Sequence, residues 1–351
     1  MPVEIKRIEA PAVERLNAAW AQLYRFEVAA LPPGALVALD QLAEMASPAG
    51  RAATVAKLSE VVLRNRCQVA GIETNDLYSY LPTVLDCNEL RQLAEVSLNL
   101  YQQLFELYVQ YAYGHSLQSS ASRQAETFSI PNVAQLAQVL EPALLNFQAF
   151  HRQSRDWRAI GFLTTQLCFC NQWILKSLTL PEQYLLTPYL RFVEEYVAHP
   201  WSRVCAAGAI YRQDNPTLLL VERLMPLADR IAQNVYRQAA AALTTHVSRR
   251  GTLKHPGVRH SCVRDLKMFQ SYLWLCVMEQ DMAAIETELV RLCLMVFPSI
   301  GVKWELIHRS IDLLVSELND RVTPNELNLI QPYTTGMQKA FANLYYPEAK
   351  S

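Results

Sequence analysis

Apolar positions recur every three or four residues along most of this chain, the period of helices that bury one face. Leu16, Trp20 and Leu23 set such a stripe in a helix expected over Pro11–Ala29, opened by Pro11 and broken by Leu31-Pro32-Pro33-Gly34. Further helices are expected over residues 35–45 and over 51–65, where Val55, Leu58 and Val62 share a face. A loop with a possible short helix follows at 70–82, and then a helix capped by Asp86 or Asn88 and running to Tyr113. Its aromatic set, Tyr101, Phe105, Tyr108 and Tyr111, reads as core packing in preference to a cofactor box, because aromatic stripes on helices usually pack. The polar, Ser-rich run GHSLQSSASRQAETFS over 114–129 reads as a linker.

The same period continues beyond the linker. Helices are expected over 131–151, over 154–178, from Pro181 to the break at His199-Pro200, briefly over 201–211, from Pro216 to a bend at Pro226, and over 227–247. A helix over Val258–Glu279 comes next, followed by helices over 282–297 and 303–318. The last starts at Thr323, with Glu326 three residues on as the partner in a capping box. Nothing reads as a strand, and no fixed-period repeat is present. The fold class is therefore all-α.

Composition narrows this picture. A chain of 351 residues, 51% hydrophobic with only 10 Gly, can bury a large helical core. The organisation expected is an N-terminal helical bundle over 1–115, a linker over 116–130, a helical hairpin over 131–178 and a C-terminal domain over 179–351. The formal net charge of −1 gives no basic excess of the kind that nucleic-acid binding needs. No apolar run reaches the roughly 18–20 residues of a membrane span, and the first residues lack a signal-peptide core. The eight cysteines sit mostly in apolar helical pattern, as free buried thiols do, which suggests a reducing, cytoplasmic setting. Cys168-Phe169-Cys170 lacks a second ligand pair at zinc spacing, so no metal site is expected. Motifs for nucleotide binding, serine hydrolysis and zinc proteolysis are absent, and the chain does not read as an enzyme.

The stretch VRHSCVRDLKMFQSYLWLCVMEQD, Val258 to Asp281, is where chemistry concentrates. Cys262, Arg264 and Asp265 place a thiol, a guanidinium and a carboxylate within one helical turn. Such a set could hold a large anionic ligand covalently, or be an ordinary helix start with an ion pair. Near the start of a helix the dipole favours a thiolate. His255 and His260 flank the stretch; in and beside a loop they read as polar surface residues, with haem ligation the alternative.

From about residue 180 onward, and most clearly from Ile231, the chain resembles the phycobilisome protein family. The resemblance rests on Cys262-Val263-Arg264-Asp265, on the helix IAQNVYRQAAAAL before it, and on Asp281, the Pro298–Gly301 turn and Thr323 after it. There are departures: Gln280 stands where the family usually has glycine, Arg259 is the sole arginine near the second of two usual positions, and the N-terminal half has no counterpart. The resemblance implies a divergent, globin-like (phycobiliprotein-like) C-terminal domain that binds a linear tetrapyrrole, a bilin, through a thioether to Cys262. It implies that Asp265 accepts hydrogen bonds from pyrrole N–H groups and that Arg264, assisted by Arg259 or Lys267, pairs the propionates. It further implies a light-harvesting or antenna-associated role in a cyanobacterial cell, with phycobiliproteins or photosystem subunits as partners, in homo- or hetero-oligomers. The place would be the cytoplasm or the cytoplasmic face of the thylakoid or plasma membrane. A pigment-free scaffold or assembly factor is the alternative function, and a bilin lyase a further one.

Overall fold

The computed structural model describes residues 11–25, 39–78, 87–110, 130–131, 133–152 and 158–342. Its helices, in chain order, are α1 (Pro11–Ala21), α2 (Leu39–Ala46), α3 (Pro48–Ala56), α4 (Glu60–Leu77), α5 (Cys87–Gln110), α6 (Val133–Arg152), α7 (Arg158–Leu175) and α8 (Leu180–Tyr196). They continue with α9 (Trp201–Gly208), α10 (Pro216–Leu224), α11 (Ala228–Ala242), α12 (Pro256–Glu279), α13 (Val290–Val296), α14 (Trp304–Asn319) and α15 (Pro324–Ala342). A π-helical turn, Ala284–Leu289, leads into α13. The all-α class is thus observed, with one small exception. Strands β1 (Val247–Ser248) and β2 (Gly251–Thr252) pair antiparallel just where the helix expected over 227–247 was to end. Helix α11 ends at Ala242, and Gly251, at φ 118, closes the hairpin in a conformation that other residues avoid.

The chain forms two compact units, one of residues 24–198 and one of residues 1–23 with 199–351. In the first, α4 packs on α5 and α7, and α8 on α2, α6 and α7. The domain start expected at 179 differs from this division, in which Leu180–Tyr196 lies in the first unit. The loop expected over 70–82 is in part helix. Leu63, Cys67, Ala70 and Thr74 continue one buried face, and the Thr74 hydroxyl donates back to Ala70 O at 2.7 Å, so α4 runs to Leu77. The helix expected over 51–65 is instead two, because Ser59 is extended (φ −53°, ψ 159°) and starts α4 afresh. Tyr101, Phe105 and Tyr108 are core residues, as expected: the Tyr101 hydroxyl donates to Asn171 Oδ1 at 2.7 Å, and Tyr108 packs edge-on to Tyr189. Asp86, Tyr111 and the expected linker lie outside the described residues.

Several buried polar groups of this unit are paired. Arg51, fully buried, donates to Tyr108 O at 2.9 Å and Ala46 O at 2.7 Å. Glu182 accepts from Lys57 Nζ at 2.8 Å and from the Thr54 and Thr179 hydroxyls. It also caps α8, because the Thr179 N–H donates to it at 2.8 Å. The buried Cys168 and Cys170 thiols each face a glutamine amide, Gln172 and Gln166.

The second unit is built around α12, which packs on α9, α11, α15 and the π-helical turn. From Leu266 to Met278 every residue of α12 is buried. Helix α1 belongs to this unit: Trp20 stacks on Trp201 at 5.1 Å, and Trp201 Nε1 donates to Asn17 Oδ1 at 2.9 Å. A Cβ at Gly208 would sit 2.4 Å from Leu16 Cδ1, so a larger residue there would require the Leu16 side chain to shift. The Thr323–Glu326 capping box opens α15 as expected, with the Thr323 N–H donating to Glu326 at 2.8 Å and the Glu326 N–H to Thr323 Oγ1 at 3.3 Å.

Candidate functional site

Helix α12 starts two residues earlier than its apolar pattern indicates. Pro256 takes the first helical position, and His255 is the N-cap, its Nδ1 accepting from the Gly257 N–H at 3.2 Å. His255 therefore has a capping role in this structure. The early start moves Cys262 into the second turn, away from the free N–H groups whose field would favour a thiolate. Burial instead pushes the Cys262 thiol up to about 12, the Asp265 carboxylate adds to the rise, and Arg264 opposes it. The expectation of a dipole-activated thiol is thus overturned.

The residues expected to act together are brought together. Ser261, Cys262, Val263, Arg264 and Asp265 are all half-buried, and the fully buried stretch begins immediately after them. Arg264 Nε and Nη2 both donate to Asp265 Oδ1, at 3.1 and 2.9 Å. Their side chains are 11% and 24% exposed, so the pair sits in the wall of the domain and is not a fully solvated surface contact. Arg259, one turn before Cys262, is exposed, and its guanidinium carbon lies 5.9 Å from the centre of the Tyr236 ring. Lys267 does not assist it. Its ammonium is buried and pairs with Asp229 of α11 at 3.3 Å.

Two residues that sequence reasoning passed over belong to the same place. Tyr236 of α11 donates its hydroxyl to Leu253 O, and its own ionisation is pushed up by burial and by Cys262. Cys293 of α13 is buried and its thiol is held well above the usual range, by burial first and then by Asp265. Asp265 thus influences thiols on two helices. Both residues read as ordinary apolar positions in their own helices, and only the tertiary fold, with α11 and the π-helical turn before α13 packed on α12, connects them to the site.

At the other end of α12 the chain turns sharply. Gln280 is left-handed (φ 55°, ψ 35°), the one described residue other than glycine with positive φ. Its N–H and that of Asp281 both return to Cys276 O, and its side chain donates to the Tyr211 hydroxyl at 3.3 Å. A cleft of about 520 Å³, lined by Arg203, Ala206, Ile210, Tyr211 and Met278–Gln280 among others, opens beside this turn. At 1.5 Å per residue it lies roughly 24 Å along the helix from Cys262, so it is a separate feature from the candidate site.

Residues 203–340 match the family model described as Phycobilisome protein. The match runs from α9 into α15 and includes Cys262, Arg264, Asp265 and Arg259. The C-terminal portion therefore carries a domain of the phycobilisome protein family, in agreement with the resemblance read from the Cys262 stretch and the helix order around it. No curated protein and no solved structure matches the chain. No described helix is long and apolar enough to cross a membrane.

Proposed function

We propose that the C-terminal unit holds a linear tetrapyrrole through Cys262 and serves as a bilin-binding, antenna-associated protein. The observation that carries this reading is the Arg264–Asp265 pair beside a half-buried thiol within the family-matched region. The donor set fits such a ligand group for group. When the pair opens, one guanidinium is released for a carboxylate and one carboxylate for ring N–H groups. Arg259 on Tyr236 supplies a second, exposed cation one turn away. Cys262 supplies the sulfur of the thioether. The bound pigment would supply visible absorption, which no side chain of the protein has.

Co-expression with bilin synthesis, followed by zinc-induced fluorescence on a denaturing gel, tests this. A band in the wild type that is lost in Cys262→Ala is expected. An undiminished band in that variant, or none in the wild type, rejects covalent attachment.

One observation favours a second reading, a pigment-free scaffold that helps to assemble phycobilisome or photosystem complexes. Arg264 donates twice to Asp265, and the thiol at about 12 is protonated at neutral pH, so both charged groups and the sulfur are accommodated without a ligand. A colourless protein that co-purifies with phycobiliproteins from a bilin-producing host is the outcome this reading requires.

A further inference from the structure

We propose that the cleft beside the end of α12 is a docking surface for a basic, amphipathic segment of another protein, one that sets an apolar side chain next to a lysine or arginine. The cleft lies wholly within the second unit: one wall comes from α9 and the residues after it, the other from Met278–Gln280. Ala206, Ile210 and Met278 make the lining largely apolar. Ile210 is 82% exposed, more than any other large aliphatic side chain among the described residues. A single apolar residue in water is ordinary, but this one belongs to a concavity whose remaining wall is apolar as well.

The two walls are tied to each other. The Tyr211 hydroxyl donates to Met278 O at 2.7 Å, and the Gln280 amide donates to Tyr211 at 3.3 Å. Arg203 of α9 is gripped by Glu288, at 2.7 and 2.8 Å, and lies 3.7 Å from Glu279. The cleft is therefore formed before anything occupies it, which lowers the ordering cost of association.

Charge selects the occupant. Arg203 is the single cation of the lining, and Glu279 and Glu288 set two carboxylates against it. Asp281, exposed next to Gln280, adds a third. Arg212, which follows Tyr211, pairs with Asp214 at 3.2 Å, so those two add no net charge. From Met268 to Val290 the chain has four carboxylates and no Lys or Arg, and Arg291, the first cation after it, stands on α13 outside the lining. Helix α12 also ends here, with the negative end of its dipole. One cation against three carboxylates leaves the surface net negative, which complements a basic segment and repels an anionic membrane. An apolar side chain of the partner covers Ile210 and Met278, and a cation beside it meets Glu279 and Asp281. The surface stands independently of any pigment on Cys262.

The test uses the full chain and two fluorescent peptides, an amphipathic helix of leucine and lysine and a polylysine of equal charge, with anisotropy as the readout. The leucine–lysine peptide should bind wild type at about 50 mM salt and weaken at least about fivefold by about 300 mM. Ile210→Ser should lose about tenfold in affinity and keep the wild-type melting temperature, because the side chain it removes is exposed. Glu279→Gln with Asp281→Asn should also lose about tenfold at low salt. Both amides keep an oxygen, so the cap that Asp281 makes to the Ala283 N–H persists. Leu219→Ser, at an exposed apolar residue of the same unit outside the cleft, should bind like wild type. Equal affinity in wild type and both cleft variants, or an equal loss in Leu219→Ser, overturns the proposal. So does polylysine binding as tightly as the amphipathic peptide, which would assign the binding to charge alone. Hexylamine binding as tightly as the peptide also overturns it, since the cleft would then be a site for a small amine.

Discussion

Arg264 directs two hydrogen bonds onto a single oxygen of its neighbour in sequence, Oδ1 of Asp265, and so leaves the second carboxylate oxygen outside the fork. The carboxylate is at once partner to a cation and a source of negative potential on the Cys262 thiol. Asp265→Asn removes one of the two causes that raise that thiol and leaves Arg264, which lowers it. Alkylation of Cys262 by iodoacetamide near pH 8, followed by mass spectrometry of the Cys262 peptide, should run roughly three- to tenfold faster in this variant. An unchanged rate would mean that burial alone sets the thiol.

Raised thiols make the fold sensitive to alkali. Cys262 is pushed up to about 12 and Cys276 to about 11, in both cases by burial first. The unfolded chain loses these protons near pH 8.5, so it binds fewer protons than the fold above that pH. The stabilising contribution is complete below about pH 8.5 and is lost as the pH rises towards the folded-state values. Urea midpoints should fall between pH 8 and pH 10, and Cys262→Ser should reduce that fall by on the order of 1 kcal/mol. A parallel pH dependence in the variant contradicts the assignment.

The left-handed turn at the end of α12 carries a local cost. An ordinary residue at φ 55° pays roughly 1 kcal/mol that glycine does not, and the exposed Gln280–Tyr211 hydrogen bond returns only part of it. Gln280→Gly should raise stability by about 0.5 kcal/mol, read as a shift in urea midpoint at constant slope. A destabilised variant would show that the Tyr211 contact outweighs the backbone strain.

Glu182 ties α3 to α8 through Lys57, Thr54 and Thr179. Burial raises its carboxyl, but the hydrogen bonds from Lys57 and Thr179 outweigh burial and hold it below the usual range. Its contribution is therefore present above the unfolded value of about 4.3 and is lost as the pH falls through the folded one. Glu182→Gln should cost about 2–3 kcal/mol at pH 7 and should lose less than wild type between pH 5 and pH 3. Circular-dichroism melts across that range give both numbers.

The central helix was legible from Val258 to Glu279 because an apolar run that the rest of the domain needs to bury lies there, whereas its start at Pro256 with His255 as the N-cap was not, since that segment read as a turn. Thr323 and Glu326 were legible for a local reason, since a capping box lies within four residues. The continuation of α4 was not, because its buried face is carried by Cys67, Ala70 and Thr74, small residues that a hydrophobic pattern barely registers. The hairpin at Val247–Thr252 has two residues per strand, too few for alternation to show. At the site, sequence spacing placed Cys262, Arg264 and Asp265 on neighbouring positions of one helix. It could not show that Lys267 turns inward to Asp229, or that Tyr236 and Cys293 arrive from other helices, because those are facts of tertiary packing.

The stacking of Trp20 on Trp201 joins residues 181 positions apart in the chain. During synthesis α1 leaves the ribosome first, yet the helix that covers it is made only after residues 24–198 have been completed. Its apolar face must wait, exposed or held by something else, while that whole unit forms. A C-terminal unit produced from His199 onward would leave the indole of Trp201 and the groove at Gly208 uncovered. Supplying residues 11–24 as a separate peptide should restore its solubility, in the manner of fragment complementation. Helix α1 is in this sense an integral part of a unit whose remaining residues follow only after position 198.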